Sequence, residues 1–177
     1  MKALVPMTAA VLALTSFSAS AGVLTEDKIL EAQSKWAEGI VRIGEAKLGG
    51  GDYRSEAQKL LDSLYNYNNG EVLFKPTKAK NDQFRETFEE AHSYFVTGVV
   101  EEDDGFAINP WKQVRFDNHD IMIHDDFAVA MGNYFFTTLD EKEVKVEYTF
   151  GYRMDEQGDL KIVLHHSSLP FLSLIHI

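Results

Sequence analysis

VKVEYTFGYRM, residues 144–154, places Val144, Val146, Tyr148, Phe150, Tyr152 and Met154 on one side of an extended chain and mostly polar residues on the other. A period of two over this length is the mark of a strand with one buried face. The same period governs the flanking sequence. Lys112 to His124 follows Pro110, Phe127 to Leu139 follows it in turn, and a turn at Asp155 to Asp159 leads into Leu160, Ile162 and Leu164. Short connections between such runs predict an antiparallel meander.

Before Gly98 the period is that of a helix. In TEDKILEAQSKWAEGIVRIGEAKL, residues 25–48, Ile29, Ala32, Trp36, Ile40 and Ile43 recur at spacings of three and four, with Thr25 as N-cap and Glu26 and Asp27 at the positive end of the dipole. Gly49-Gly50-Gly51 stops it. A second helix is expected from about Asp52 to Tyr65, with Ala57, Leu60, Leu61 and Leu64 inward. A short β run follows at Glu71–Lys75, closed by Pro76. A third helix is expected from Asn81 to about Val96, carrying Phe84, Phe88, Ala91 and Phe95 on its apolar stripe. Helices first and a meander afterwards give an α+β domain, a cone-shaped curved antiparallel β-sheet wrapped around the N-terminal helices, with a pocket at its open end. Many unrelated functions use that architecture, so function must come from side chains.

Composition narrows the chemistry. In 177 residues there is room for one domain; 17 Lys and Arg against 28 Asp and Glu give a net charge of −11, which argues against nucleic acid and anionic membranes as partners. The absence of cysteine excludes disulfides, thiolate-bound metals and a thiol nucleophile. The ends read as additions to the domain. Lys2, the apolar run Ala3 to Phe17 and Ala19-Ser20-Ala21 have the order of a secretory signal with cleavage after Ala21, so residues 1–21 are expected to be removed and the chain exported to a periplasm or an organelle lumen. The hexapeptide at residues 172–177, LSLIHI, follows Phe171 without a turn and resembles translated sequencing-adapter read-through. The domain is therefore expected at residues 22–171.

Extending the last strand's alternation from Ile162 and Leu164 nominates His166 and Ser168 as the inward polar pair, with His165 and Ser167 opposite. Such a pair presents a base and a hydroxyl at a pocket rim, or it simply caps the strand. Thr77, just after Lys75-Pro76, and Tyr94, beside the aromatic stripe, are further candidates whose hydroxyls serve equally as turn or packing groups. Metal binding is not favoured: His165 and His166 are neighbours on opposite faces, and His119 and His124 have opposite parity. The Glu101-Glu102-Asp103-Asp104 run reads as a solvated loop.

HHSSLP at residues 165–170 carries a resemblance, and other stretches extend it: VLFKPT at 72–77, Tyr94 within SYF, and GFAI and NPWKQVRF between Gly105 and Phe116. From about Val23 to Phe171 the chain resembles the iota class of carbonic anhydrases, relatives of the calcium/calmodulin-kinase association domain and the wider nuclear-transport-factor-2-like (NTF2-like) set. The resemblance implies reversible hydration of carbon dioxide to bicarbonate and a proton. It implies a site built from Thr77, Tyr94, His166 and Ser168, the choice of Ser168 over Ser167 resting on strand parity, with Phe74, Phe95 and Phe150 as an apolar wall. His166 would take the proton, directly or through Ser168, while Thr77 and Tyr94 hold water and the forming bicarbonate. Some members of the class are described as metal-free and others as using zinc or manganese; this sequence lacks an obvious ligand set, so no cofactor is expected. The class implies a homodimer. Alternatives are a non-catalytic oligomerisation or ligand-binding module, a metal-dependent carbonic anhydrase, and a ketosteroid-isomerase-like enzyme. The last would need an inward acid among Asp117, Glu143 and Glu147.

Overall fold

A computed structural model describes residues 23–171; the expected leader at 1–21 and the tail at 172–177 lie outside the described residues. Helix α1 (Glu26–Leu48) begins where the Thr25 hydroxyl accepts the Lys28 backbone N–H, and it ends at Gly49. Its buried face is Ile29, Ala32, Trp36, Ile40 and Ile43, as the spacing predicts. Helix α2 (Tyr53–Leu64), capped by Asp52, buries Ala57, Leu60, Leu61 and Leu64. At Gly39 of α1 an added Cβ would come within 2.5 Å of Leu60 Cδ1, so the small residue is what lets α2 lie against α1.

The sheet has the order β1-β5-β4-β3-β2, from β1 (Leu73–Lys75), β2 (Trp111–His124), β3 (Phe127–Thr138), β4 (Glu143–Met154) and β5 (Leu160–Ser168). Strands β2 to β5 form the expected meander. Strand β1 departs from the antiparallel expectation, pairing parallel to β5 with Phe74 opposite His165 and Lys75 opposite His166. The sheet curves around α1 without closing. Trp36 of α1 sits in its hollow, stacked on Tyr134 at 5.7 Å with an interplanar angle of 6° and edge-on to Phe116, Phe136, Phe150 and His165. A core of rings packed around one indole, all buried except the partly buried Phe116, gains both area and edge-to-face geometry.

Besides an irregularity at Lys112 near the start of β2, two bulges bend the strands, and each of these two faces a glycine. On β2 the extra residue is His119, between Asn118, paired with Gly132, and Asp120, paired with Met131. A Cβ on Gly132 would collide with the Asp117 carbonyl and lie 2.7 Å from the His119 nitrogen. On β5 the extra residue is Val163, between Ile162, paired with Tyr152, and Leu164, paired with Gly151. A Cβ there would stand 2.8 Å from Leu164 Cβ. A bulge sets two residues against one and shifts the side-chain alternation beyond it.

The third helix is shorter than its periodicity suggests. Helix α3 (Phe88–Val96) starts at a capping box in which Thr87 Oγ1 accepts the Glu90 N–H and the Glu90 carboxylate accepts the Thr87 N–H. The preceding segment is held in an irregular course instead. Glu102 accepts the backbone N–H groups of Lys80, Asn81 and Asp82, and the Arg85 N–H bonds to the Phe74 carbonyl. Phe84 is consequently exposed rather than part of the stripe. The acidic run is not merely solvated, because Glu102 ties this loop and the Asp103 side chain is only 3% exposed against a fully buried Arg85.

Candidate active site

Pro76 ends β1 and turns the chain so that Thr77 projects over the end of β5. Its Oγ1 donates to Ser167 Oγ at 2.9 Å. The Tyr134 hydroxyl, from the inward row of β3, reaches both side chains. Tyr94 of α3 approaches from the helical side, its ring stacked on Phe106 and edge-on to Phe74, its hydroxyl facing the Lys78 backbone N–H. Phe74 and Phe95 stack at 6.0 Å and wall the cluster. Thr77 is half-buried, whereas Ser167, Tyr94 and Tyr134 are buried, so Thr77 is the cluster's contact with solvent.

His165 lies two residues before Ser167 on the same face of β5. Its ring is 4.4 Å from that of Phe74 and 4.1 Å from that of Phe150, and its Nδ1 is 2.8 Å from the Tyr65 hydroxyl, which also accepts Trp36 Nε1–H at 2.9 Å. Lys75 extends along β1 to the Ser167 carbonyl at 3.4 Å.

The pair expected to face inward, His166 and Ser168, does not. Ile162 is inward as predicted, but the Val163 bulge inverts the alternation beyond it, and His165 and Ser167 are the buried residues. His166 is exposed and lines a groove on the outer side with Leu73, Lys75 and Phe84. Ser168 Oγ donates at the surface to Glu147 at 3.3 Å. The expected inward orientation of His166 and Ser168 is therefore corrected: His165 and Ser167 are the inward pair. Thr77, Tyr94, Phe74 and Phe95 are brought together as expected. Reading the sequence alone passed over Tyr134, although its parity with Ala128, Ala130 and Phe136 was there to find it, and it passed over Tyr65.

Burial sets the protonation states. It pushes the Tyr94 and Tyr134 phenols far above their ordinary 10.0; the hydrogen bonds of Tyr134 to Ser167 and Thr77 only oppose that shift. Burial, and secondarily the His166 charge, hold the His165 imidazole well below its ordinary 6.5. At neutral pH the cluster is thus uncharged: hydroxyls that both donate and accept, and phenols that donate, beside the Phe74 and Phe95 rings. Such a set suits a small molecule that changes from apolar to oxygen-rich as it reacts. Asp117, Glu143 and Glu147 are all exposed, so none supplies the inward acid that an isomerase would need. Among the described residues no group of three or more His, Cys, Asp or Glu side chains is placed to hold a metal ion.

Comparisons with known proteins bear on the family. The family model for metal-independent carbonic anhydrase matches residues 27–169. A metal-independent carbonic anhydrase of Nostoc sp. is 39% identical over 154 residues, spanning 84% of this chain and 75% of the relative. The crystal structure of a cyanobacterial iota-carbonic anhydrase complexed with bicarbonate superposes with a TM-score of 0.81 at 37% identity, covering 85% of this chain and 94% of that one. A calcium/calmodulin-dependent protein kinase II association domain from Xanthomonas campestris, at 22% identity and a TM-score of 0.56 over 84% and 91% of the two chains, shares the fold. Matched by the family model over most of its length and by a 39% identical relative, the chain belongs to the metal-independent carbonic anhydrase family.

Proposed function

We propose that this protein interconverts carbon dioxide and bicarbonate at the cluster of Thr77, Ser167, Tyr134 and Tyr94. The observation that carries the reading is the 2.9 Å Thr77–Ser167 hydroxyl pair, closed over by two un-ionised phenols and an apolar wall, in a chain of this family. Addition of water to carbon dioxide makes the gas's oxygens negative and the attacking water positive. Phenolic and hydroxyl donors stabilise the first charge. A hydroxyl can relieve the second by accepting the water's proton while passing its own onward; the Thr77 hydroxyl donates to Ser167 in the resting arrangement, and once it turns outward the Ser167–Thr77 pair serves as a relay that ends at the solvent-facing Thr77. The water oxygen bonds to carbon, one C–O π bond becomes a lone pair on oxygen, and one proton leaves for solvent, which balances as bicarbonate and a proton. Phe74, Phe95 and Phe150 receive the apolar gas.

Stopped-flow hydration by the purified protein, with and without a strong chelator, tests this directly. Catalysis is expected to persist unchanged in chelator. It should also show no inflection from the site between the ordinary imidazole and phenol values of 6.5 and 10.0, because burial drives His165 below that window and Tyr94 and Tyr134 above it. Loss of activity in chelator, or a rate at the uncatalysed level, rejects the reading. Export and a homodimer belong to the same proposal. The charged, apolar and small-residue order at the N-terminus supports export, and Met131, 53% exposed on the outer sheet face, supports pairing of two copies there. N-terminal sequencing of secreted protein starting at Gly22, and light scattering at twice the chain mass, check the two points.

A further inference from the structure

Ser167 is fixed by the sheet and Tyr94 by a helix, but Thr77 stands on an irregular excursion of the chain between Pro76 and the cap of α3 at Thr87. The base of the excursion is closed where the Arg85 N–H meets the Phe74 carbonyl at 2.9 Å. Its crown is held by a side chain from elsewhere. Glu102 Oε1 accepts the N–H groups of Lys80 at 3.0 Å, Asn81 at 3.1 Å and Asp82 at 3.0 Å, and Oε2 accepts that of Asn81 at 2.9 Å. Successive N–H groups converging on one carboxylate form an anion nest, and bonds to an ionised acceptor are the strong ones. The Asn81 N–H, helped by those of Lys80 and Asp82, holds the Glu102 carboxyl below its ordinary 4.5.

Glu102 itself is tied to the helix that carries Tyr94. Before it in sequence, the Val100 N–H bonds to the buried Ser93 hydroxyl at 3.1 Å; after it, the Phe106 and Ala107 N–H groups bond to the carbonyls of Tyr94 and Phe95 at 2.8 and 2.9 Å. The carboxylate therefore reaches from the Tyr94 side of the site to the stretch bearing Thr77, and between the two the Lys78 N–H faces the Tyr94 hydroxyl. Thr77 lies between the closed base and the tied crown, with its own hydroxyl on Ser167. We infer that Glu102 is a positioning residue for hydration, which touches no substrate and acts by keeping the Thr77 hydroxyl over Ser167. This deepens the proposed function and rests on it.

Stopped-flow hydration by full-length Glu102→Ala, Thr77→Val and the double variant tests this. Glu102→Ala is expected to lower kcat about tenfold at unchanged KM, because a displacement of about 1 Å at a reacting group suffices for such a loss. In the Thr77→Val background the same change should cost no more than about twofold, since residues that act through one group are not additive. A tie that served the fold alone would lower the unfolding midpoint, leave the kcat of the folded enzyme unchanged, and act equally in both backgrounds. Glu102→Gln, whose amide oxygen can stand where Oε1 accepts all three N–H groups, should recover kcat to within about threefold of wild type. Should Glu102→Ala fail to fold, the cycle is run with Glu102→Asp, which keeps the charge and withdraws it by one methylene, with a loss of about fivefold expected. Unchanged kcat in the folded variant, or equal losses with and without the Thr77 hydroxyl, overturns the inference and leaves the proposed function standing. A wild-type protein without hydration activity overturns both.

Discussion

Ser167→Ala lowers the kcat for carbon dioxide hydration about 100-fold, whereas Ser168→Ala leaves it within about twofold of wild type. The two serines are adjacent and chemically identical, so the contrast isolates position. Ser167 is buried, its Oγ accepts the Thr77 proton at 2.9 Å, and the Tyr134 hydroxyl reaches it. Truncation removes one donor from the developing charge and cuts the relay, and loss of a single such donor typically costs about 10²–10³ in rate. The missing oxygen leaves a small void beside Thr77, so the variant should fold, which circular dichroism and an unfolding curve would establish. Ser168 makes a 3.3 Å surface bond to Glu147, an interaction that contributes little in water. The measurement is stopped-flow hydration on both purified variants. If Ser168→Ala is the inactive one, Ser168 and not Ser167 is the hydroxyl of the site, and the proposal falls.

Asp103→Leu destabilises the protein by about 3–5 kcal/mol, and the double change Arg85→Met with Asp103→Leu recovers most of that. Arg85 is fully buried, donates to Asp103 Oδ1 at 2.5 Å and to the carbonyls of Asp82 and Phe84 at 2.7 and 3.0 Å, and its own carbonyl accepts from Tyr67. Removing only the carboxylate strands a guanidinium away from water. Removing both charges replaces a costly pair with apolar volume. Denaturant unfolding of the three proteins reads the difference. A double variant no more stable than Asp103→Leu would show that the loop's hydrogen bonds to Arg85, not its charge balance, hold the fold. Because the guanidinium lies 5.9 Å from the Tyr94 ring, the single variant should also lose activity in its folded fraction.

The sequence makes some of this legible and hides the rest for identifiable reasons. Helix α1 and strand β4 follow from spacing, since each carries an unbroken apolar row over many residues. The start of α3 was also readable, in Thr87-Phe88-Glu89-Glu90, but Phe84 imitates the helical stripe four residues too early. Arg85 could not be found, because a charged side chain among polar neighbours reads as surface until the Asp103 partner is seen across the loop. Thr77 and Tyr94 were identified on their motifs, and the structure brings them together. The error over His166 and Ser168 came from assuming that alternation runs unbroken along β5. One hint was present, a glycine at 151, where the facing strand, bulged at Val163, brings Leu164 too close for a side chain.

That single inserted valine has a wider meaning, given how β5 ends. His-His-Ser-Ser spells imidazole followed by hydroxyl whichever alternate positions turn toward the interior. A slip of one residue, which elsewhere exchanges oily side chains for wet ones, here exchanges one copy of the two-letter word for the other. The doubled motif tolerates frame errors, and Val163 selects which copy is spoken inside, leaving the duplicate outdoors.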